Sequence, residues 1–420
     1  VDDILLALLF LLIFSRGLGL LFRRVNVSPV VGEVLGGIVL SPLVLGILTD
    51  FSDVQTFAEF AVIVVMFHSG LYTDFSAFRS QRWGSILIGA LGVAVTFALI
   101  FTASLLVLSF SLETSLFLGA IISNSAIEVS STVLRHTRFK RLKTLVVGAS
   151  FVDDIMAVFV LGVVLTFVRT TPGILIPVIG NVEGIQLTLL SLSFTSLQVG
   201  LFLILTFFVL TKVSHKVLDR IVPRGFEVLL SFGFFLAFSL GIVSKWVGLH
   251  EVIGVYIAGL LLSSWSQVPD PMMKRGVAFM KFKTFFTRMT ESLFSPIFFG
   301  VVGIILGSAL VTEGGGSVPY IMLGSLALFL LAIAGKSIGC GLGARLKGTV
   351  PSGAMLIGVA MWGRGALELI LIKTGLREGF ISPEEFSMVV LMTMLTILIT
   401  PLAYRLTVKW KEDQLEDAGL

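Results

Sequence analysis

The sequence predicts an all-α polytopic membrane protein of about 13 transmembrane helices. Three observations carry that prediction. Over 420 residues the chain is 56% hydrophobic and 13% charged, where soluble domains carry about 25% charged residues, and its mean hydropathy is +1.03. Apolar runs of about 18 residues or more recur from end to end, each long enough to cross roughly 30 Å of hydrocarbon as a helix. Positive charge alternates between successive connections, the pattern expected when every second loop faces the cytoplasm.

Breaking the apolar runs at charges, Pro and Gly places candidate spans at 3–22, 29–48, 55–72, 84–109, 114–134, 144–168, 194–212, 226–244, 248–265, 292–311, 319–343, 351–373 and 384–408. The first run lacks the basic flank and small-residue cleavage site of a signal peptide, and it reads as a spanning helix. The polar tail 409–420 follows the last span.

One set of connections collects Arg23 and Arg24, Arg79 and Arg82, the cluster from Arg135 to Lys143, and the cluster from Lys212 to Arg224. The same set continues with the stretch Lys274–Arg288, then Arg345 and Lys347, then the tail with Lys409 and Lys411. The other set holds Asp50 and Asp53, Glu113, the stretch 170–190, the Gly-rich 314–316, and Arg377 offset by acids. An odd number of spans with a cytoplasmic C-terminus puts the N-terminus outside. The formal charge of +4 and the pI of about 9.2 therefore report topology and give no reason to expect a nucleic-acid partner. The single cysteine, Cys340, excludes a disulfide framework and a Cys-based metal site within one chain.

The spans divide into six, a linker at 194–212, and six, which suggests two halves of inverted topology. Matching positions carry polar interruptions: Ser123-Asn124-Ser125 with Glu128 in the fifth span, and Gly363-Arg364-Gly365 with Glu368 in the twelfth. Interrupted helices at corresponding places mark the binding site in transporters of this architecture.

Charge at depth points to function, because an ionised side chain at the centre of a bilayer is unfavourable by about 2.5–3.5 kcal/mol on insertion scales. Within 146–168 the charged residues are Asp153 and Asp154. Neighbouring helical positions diverge by about 100°, so the two carboxyls have different surroundings. Asp154 is expected to face a water-filled cavity, where its ionised form offers hard oxygen ligands to a monovalent cation and its protonated form offers none. One group then serves either ion in turn. Asp153 is expected to face Lys336, the ammonium placed mid-span in Ala334-Gly335-Lys336-Ser337; a charge-moving pair and a static buried ion pair are both consistent with that placement. Ser125 and Asn124 offer neutral oxygen ligands. Arg364 is suited to the carbonyl ends of the broken helices and Glu128 to amide ends. Arg364 and Glu368 are equally read as a simple pair. His68 reads first as a hydrogen-bonded packing residue and second as a proton sensor; Glu33 and Glu251 open their spans, where a carboxylate suits the helix dipole.

On these residues the chain resembles the monovalent cation/proton antiporter superfamily, in particular its double-aspartate branch. The resemblance runs through Pro29-Val30-Val31-Gly32-Glu33, Ala149-Ser150-Phe151-Val152-Asp153-Asp154, Gly254-Val255-Tyr256-Ile257-Ala258-Gly259, Pro296-Ile297-Phe298-Phe299, Gly335-Lys336 and Arg364-Gly365-Ala366-Leu367-Glu368-Leu369. It implies a homodimer in the lipid bilayer, two crossed discontinuous helices and elevator-like alternating access. It implies dimerisation-domain helices in 1–72 and 226–265, core helices in 84–168 and 292–408 with 292–311 open between the two, and a linker helix at 194–212. By the same likeness Asp154 matches the main ion-binding carboxylate, Asp153 and Lys336 its paired neighbours, and Ser125 the hydroxyl of the first broken helix. The intact aspartate pair favours electrogenic exchange of Na+ or Li+ for H+, in a multi-pass protein of the plasma membrane. Two positions depart from the pattern: Glu128 stands where a small residue is expected, which opens cation choice and stoichiometry, and Tyr72 stands where relatives often have Glu.

A K+/H+ antiporter of the same fold is the nearest alternative. A channel would need a continuous lined pore, and an organic-anion symporter more uncompensated positive groups than Lys336 and Arg364. No nucleophile, base and oxyanion set can be assembled at the midplane, so an enzyme is not expected, and no cofactor is implied beyond the transported ions.

Overall fold

The computed structural model describes residues 4–24, 27–48, 52–72, 81–126, 130, 134, 139–170, 197, 200–202, 204–206, 211–247, 251–267, 274–312 and 318–416. Helix is the regular structure throughout these residues. In chain order the helices are α1 (Ile4–Arg24), α2 (Pro29–Leu40), α3 (Ser52–Tyr72), α4 (Arg82–Leu106), α5 (Leu112–Ile122), α6 (Lys140–Thr170), α7 (Thr211–Ile221) and α8 (Phe226–Trp246). They continue with α9 (Glu251–Ser266), α10 (Lys274–Met289), α11 (Ser295–Thr312), α12 (Val318–Leu346), α13 (Pro351–Ala360), α14 (Ala366–Arg377) and α15 (Pro383–Glu416). Among the described residues, eight helices are long and apolar enough to cross a membrane, and four shorter apolar helices accompany them. Backbone polar groups have no water partner in hydrocarbon, so helices that satisfy them internally are the solution open to such a sequence. Large apolar side chains point outward along several spans, including Leu5, Phe235, Leu323 and Leu406, as a lipid solvent permits.

Local chemistry sets the helix starts. Pro29, Pro351 and Pro383 occupy first turns, where a missing N–H leaves no bond unmade. Ser111 caps α5 by accepting from the Thr114 N–H at 3.0 Å. At α15, Ser382 and Glu385 form a reciprocal capping box: the Ser382 N–H donates to Glu385 Oε2 at 2.7 Å and the Glu385 N–H to Ser382 Oγ at 3.3 Å.

Packing divides the chain into two compact units. The first comprises Val1–Val65, Ser76–Asp154 and Arg288–Leu420, and the second Met66–Phe75 and Ile155–Thr287. In the first unit α2 lies close against α11, where a side chain on Gly37 or Gly303 would run into the facing backbone. Leu11, Leu40, Val54, Ile297 and Val301 fill the space around them. A second core gathers Ile88, Leu142, Val146, Ala344, Ile357 and Tyr404. In the second unit α8 packs on α9, and a ring cluster joins Phe67, Phe234, Phe282 and Phe286 at centroid separations of 4.7–6.1 Å.

Two expectations change here. The basic stretch 274–288, read as a connection, is helix, and it runs through a π-helical turn at Thr290–Phe294 into α11. Its burying face was available in the sequence as Phe279, Phe282 and Phe286 at helical spacing; the lysines and arginines between them masked it. The span 29–48 is helical only to Leu40 and then turns. The linker span 194–212 lies mostly outside the described residues, as do 171–190 and Glu128.

Candidate functional site

Asp153 and Asp154 sit within α6, with 0% and 4% of their surfaces exposed. Lys336 of α12 donates from Nζ to Asp153 Oδ1 at 2.6 Å, and neither side chain has any exposed surface. Such a length is typical of a charge-assisted bond. The lysine reaches its partner because α12 presses onto α4 through Gly335, Gly339 and Gly343, one turn apart. A Cβ on any of them would overlap the backbone of Thr96, Leu91 or Leu87. Asp153 Oδ2 has no hydrogen-bond partner among the described residues.

Asp154 shares a helix face with Ser150, four positions earlier. That hydroxyl donates to Met361 Sδ at 3.3 Å, so this face of α6 looks toward the end of α13. There the chain is interrupted: Met361–Gly365 leaves the helix before α14 begins. The other interruption follows α5, where Ser123 to Ala126 are non-helical. The two touch. The Ala126 N–H donates to the Gly363 carbonyl at 2.8 Å, and Ser130 Oγ to the Ala360 carbonyl at 2.8 Å.

Ending two helices inside the bundle leaves carbonyls that carry the negative ends of their dipoles. Arg364, 1% exposed, serves both. It donates to the Ile122 carbonyl at the end of α5 at 2.8 Å and to the Trp362 carbonyl just beyond α13 at 2.5 Å. A longer contact reaches the Ala332 carbonyl of α12 at 3.5 Å. Thr396 of α15 accepts from the Arg364 N–H at 3.4 Å, and the Trp362 indole donates to Ser337 Oγ at 2.7 Å.

Asn124 Oδ1 accepts from the Ser125 N–H at 2.9 Å, while the Ser125 hydroxyl is buried with no hydrogen-bond partner among the described residues. Glu368 lies in the first turn of α14, 2% exposed, within electrostatic reach of Arg364 and Lys336. It makes no ion pair with Arg364 and closes no well-formed hydrogen bond, although the Thr393 hydroxyl lies nearby. Arg364 and Glu368 act on one another electrostatically without a hydrogen bond, the guanidinium donating to helix-end carbonyls. Glu128, outside the described residues, cannot be placed beside them.

Three features escaped the sequence. Lys336 is joined by a second buried lysine, Lys373 of α14, 6% exposed. Glu33, read as a helix-dipole residue, accepts from Ser295 Oγ at 2.5 Å with Arg16 3.9 Å away; partners 262 positions apart leave no local trace. Trp362, Thr396 and Met361 frame the crossing, and for Met361 and Trp362 the one signal was their nearness to Arg364 in sequence. His68 packs by a 3.2 Å hydrogen bond to Thr287.

The model of the sodium/hydrogen exchanger transmembrane family matches residues 5–410. The chain is 26% identical to the Na(+)/H(+)-K(+) antiporter GerN of Bacillus cereus over 93% of this chain and 92% of that one. It is 28% identical to the Na(+)/H(+) antiporter NhaS4 of Synechocystis, covering 92% of each. Its fold is similar to that of the sodium proton antiporter MjNhaP1 of Methanocaldococcus jannaschii, with a TM-score of 0.67 at 14% identity, covering 96% of this chain and 97% of the other.

Proposed function

The chain belongs to the sodium/hydrogen exchanger family, whose members are membrane antiporters and not enzymes, and on that premise we propose that it exchanges Na+ or Li+ for H+ at Asp154. The observation that carries this reading is the setting of the α6 carboxylates beside the crossed interruptions. Asp153 is already engaged by Lys336; Asp154 occupies the face that Ser150 turns toward Met361. A cation bound at Asp154 would find further oxygens in Ser125 and Asn124. Protonation removes the carboxylate charge, so proton and cation exclude one another at one group, which is the requirement for coupled exchange.

Arg364 compensates the carbonyl ends at the two interruptions. Lys336 and Asp153 form the second charged element of the cycle: release and uptake of a proton there would make exchange electrogenic. By elevator-like alternating access, the core helices in 84–168 and 292–408 would carry the site past dimerisation-domain helices in 1–72 and 226–265, in a homodimer of the plasma membrane. The N-terminus would lie outside and the C-terminus in the cytoplasm.

Exchange is read in proteoliposomes with a pH-gradient dye while Na+, Li+ or K+ is added. Dissipation driven by Na+ and Li+, and its loss in Asp154→Asn, is the expected result. A gradient that collapses without cation, or an Asp154→Asn protein that still exchanges, overturns the reading. Equal dissipation by K+ would instead establish the second reading, a K+/H+ antiporter. Charge movement should shrink in Lys336→Gln if the Asp153–Lys336 pair takes part, and stay unchanged if the pair is static.

A further inference from the structure

On α14, Lys373 and Arg377 stand four residues apart, on one face and about 6 Å from each other along the axis. Glu59 of α3 pairs with Arg377 at 3.3 Å, both side chains about two-fifths exposed. The Lys373 ammonium is buried and has no hydrogen-bond partner among the described residues. It lies 5.7 Å from the centre of the Phe298 ring of α11, and the charged groups acting on it are Glu59 and Arg377. Arg377, the outer base, thus has two carboxylates, Glu59 and its chain neighbour Glu378 at 3.5 Å, while Lys373, a helical turn inward, has none within hydrogen-bond reach among the described residues. A buried ammonium without a hydrogen bond is a disfavoured arrangement, and it leaves Lys373 able to take a carboxylate partner.

The opposite side of α14 is fixed. The Phe117 ring of α5 fills the space where a Cβ on Gly375 would go, and Thr114 Oγ1 donates to the Phe380 carbonyl at 3.1 Å. A shift of α14 therefore takes α5 and the crossing with it, and passes Glu59 and Phe298 on the other side.

We propose that Lys373 is the second position of a two-register ion latch, in which sliding α14 by about one turn toward its C-terminal end hands Glu59 from Arg377 to Lys373. The carboxylate changes bases while the site at Asp154 changes its side of access. Lys373 is a positioning residue that need not touch the transported ion. The proposal rests on the alternating-access reading above, and the two can fail separately.

Exchange rates in proteoliposomes, with full chain and thermal melting as a folding control, test the latch. Lys373→Met should lower the maximal rate several-fold and leave the half-saturating Na+ concentration unchanged, and Lys373→Arg should restore much of the rate. In a Glu59→Gln background, adding Lys373→Met should have no further effect. A wild-type rate in Lys373→Met, or an equal further drop in the Glu59→Gln background, overturns the latch. The registers themselves are read by oxidative cross-linking in a Cys340→Ala protein: a Glu59→Cys, Lys373→Cys pair should close during turnover. If it closes while Lys373→Met exchanges normally, the latch falls and alternating access stands. If it never closes while the wild type exchanges, the sliding of α14 falls with the latch.

Discussion

Lys336 and Lys373 are both buried ammonium groups on apolar helices of the same packing unit, and they are held in opposite ways. Lys336 has no exposed surface and a carboxylate at 2.6 Å; Lys373 has a phenyl ring at 5.7 Å and no hydrogen bond among the described residues. The glycine contacts of α12 on α4 fix Lys336 against α6, whereas Lys373 shares its nearest acid with Arg377. A buried charge with a dedicated partner is part of the scaffold's electrostatic balance. One without is free to take a partner when the helix moves. The difference between them makes their contributions to stability separable by mutation.

The largest effect should come from the paired lysine. Lys336→Met strands Asp153 as a buried charge, and thermal melting of the purified protein should show a loss of about 3–5 kcal/mol, most of it recovered when Asp153→Leu is added. If Lys336→Met melts like the wild type, the pair contributes nothing and the contrast collapses.

Arg364 sharpens the comparison from the other side, because its partners are carbonyls and not a carboxylate. Arg364→Met leaves the Ile122 and Trp362 carbonyls without their donor and should destabilise the fold by about 1–3 kcal/mol. Adding Glu368→Gln should recover only part of the loss, since the two side chains act on one another electrostatically but share no hydrogen bond. Full rescue by Glu368→Gln would mean that the stranded carboxylate, and not the carbonyls, carries the loss.

Lys373→Met should move stability least among the buried cations, within about 1 kcal/mol and in the stabilising direction, because an apolar chain of similar length replaces an ammonium that lacks a hydrogen bond. A loss as large as that of Lys336→Met would show that Glu59 already holds it.

The sequence made the spans readable because lipid demands long apolar runs, and the site readable because charge inside such runs is rare. Asp153 opposite Lys336 was legible as geometry on that ground alone. Lys373 was not: four residues before Arg377 it reads as a span-end lysine whose head reaches water, and its burial, with Phe298 of α11 beside it, comes from tertiary packing. The Glu33–Ser295 contact and the π-helical turns at Leu12–Arg16 and Thr290–Phe294 arise from helix–helix packing and leave no local signature. The helix over 274–289 was hidden for the converse reason, since a charge pattern that marks a cytoplasmic connection says nothing about whether that connection is helical.

The smallest expected effect lies in the other unit and outside the membrane spans. His215 of α7 shares a 3.2 Å hydrogen bond with Ser264 of α9. Its neighbour Asp219 accepts from Arg275 at 2.7 Å and from the Trp265 indole at 3.0 Å. Burial, then the Arg275 charge, holds the imidazole below its ordinary value, and Asp219 opposes them. The unfolded chain therefore takes up its proton first as pH falls. Stability should be unaffected above about pH 6.5 and decline as pH drops from there through the folded value. Half-exposed as it is, His215 contributes a shallow slope compared with the buried lysines. His215→Asn keeps a hydrogen-bonding side chain and removes the titration, so its melting temperature should fall less than that of the wild type between pH 7 and pH 5. Parallel curves would mean that Asp219 cancels Arg275 and burial together.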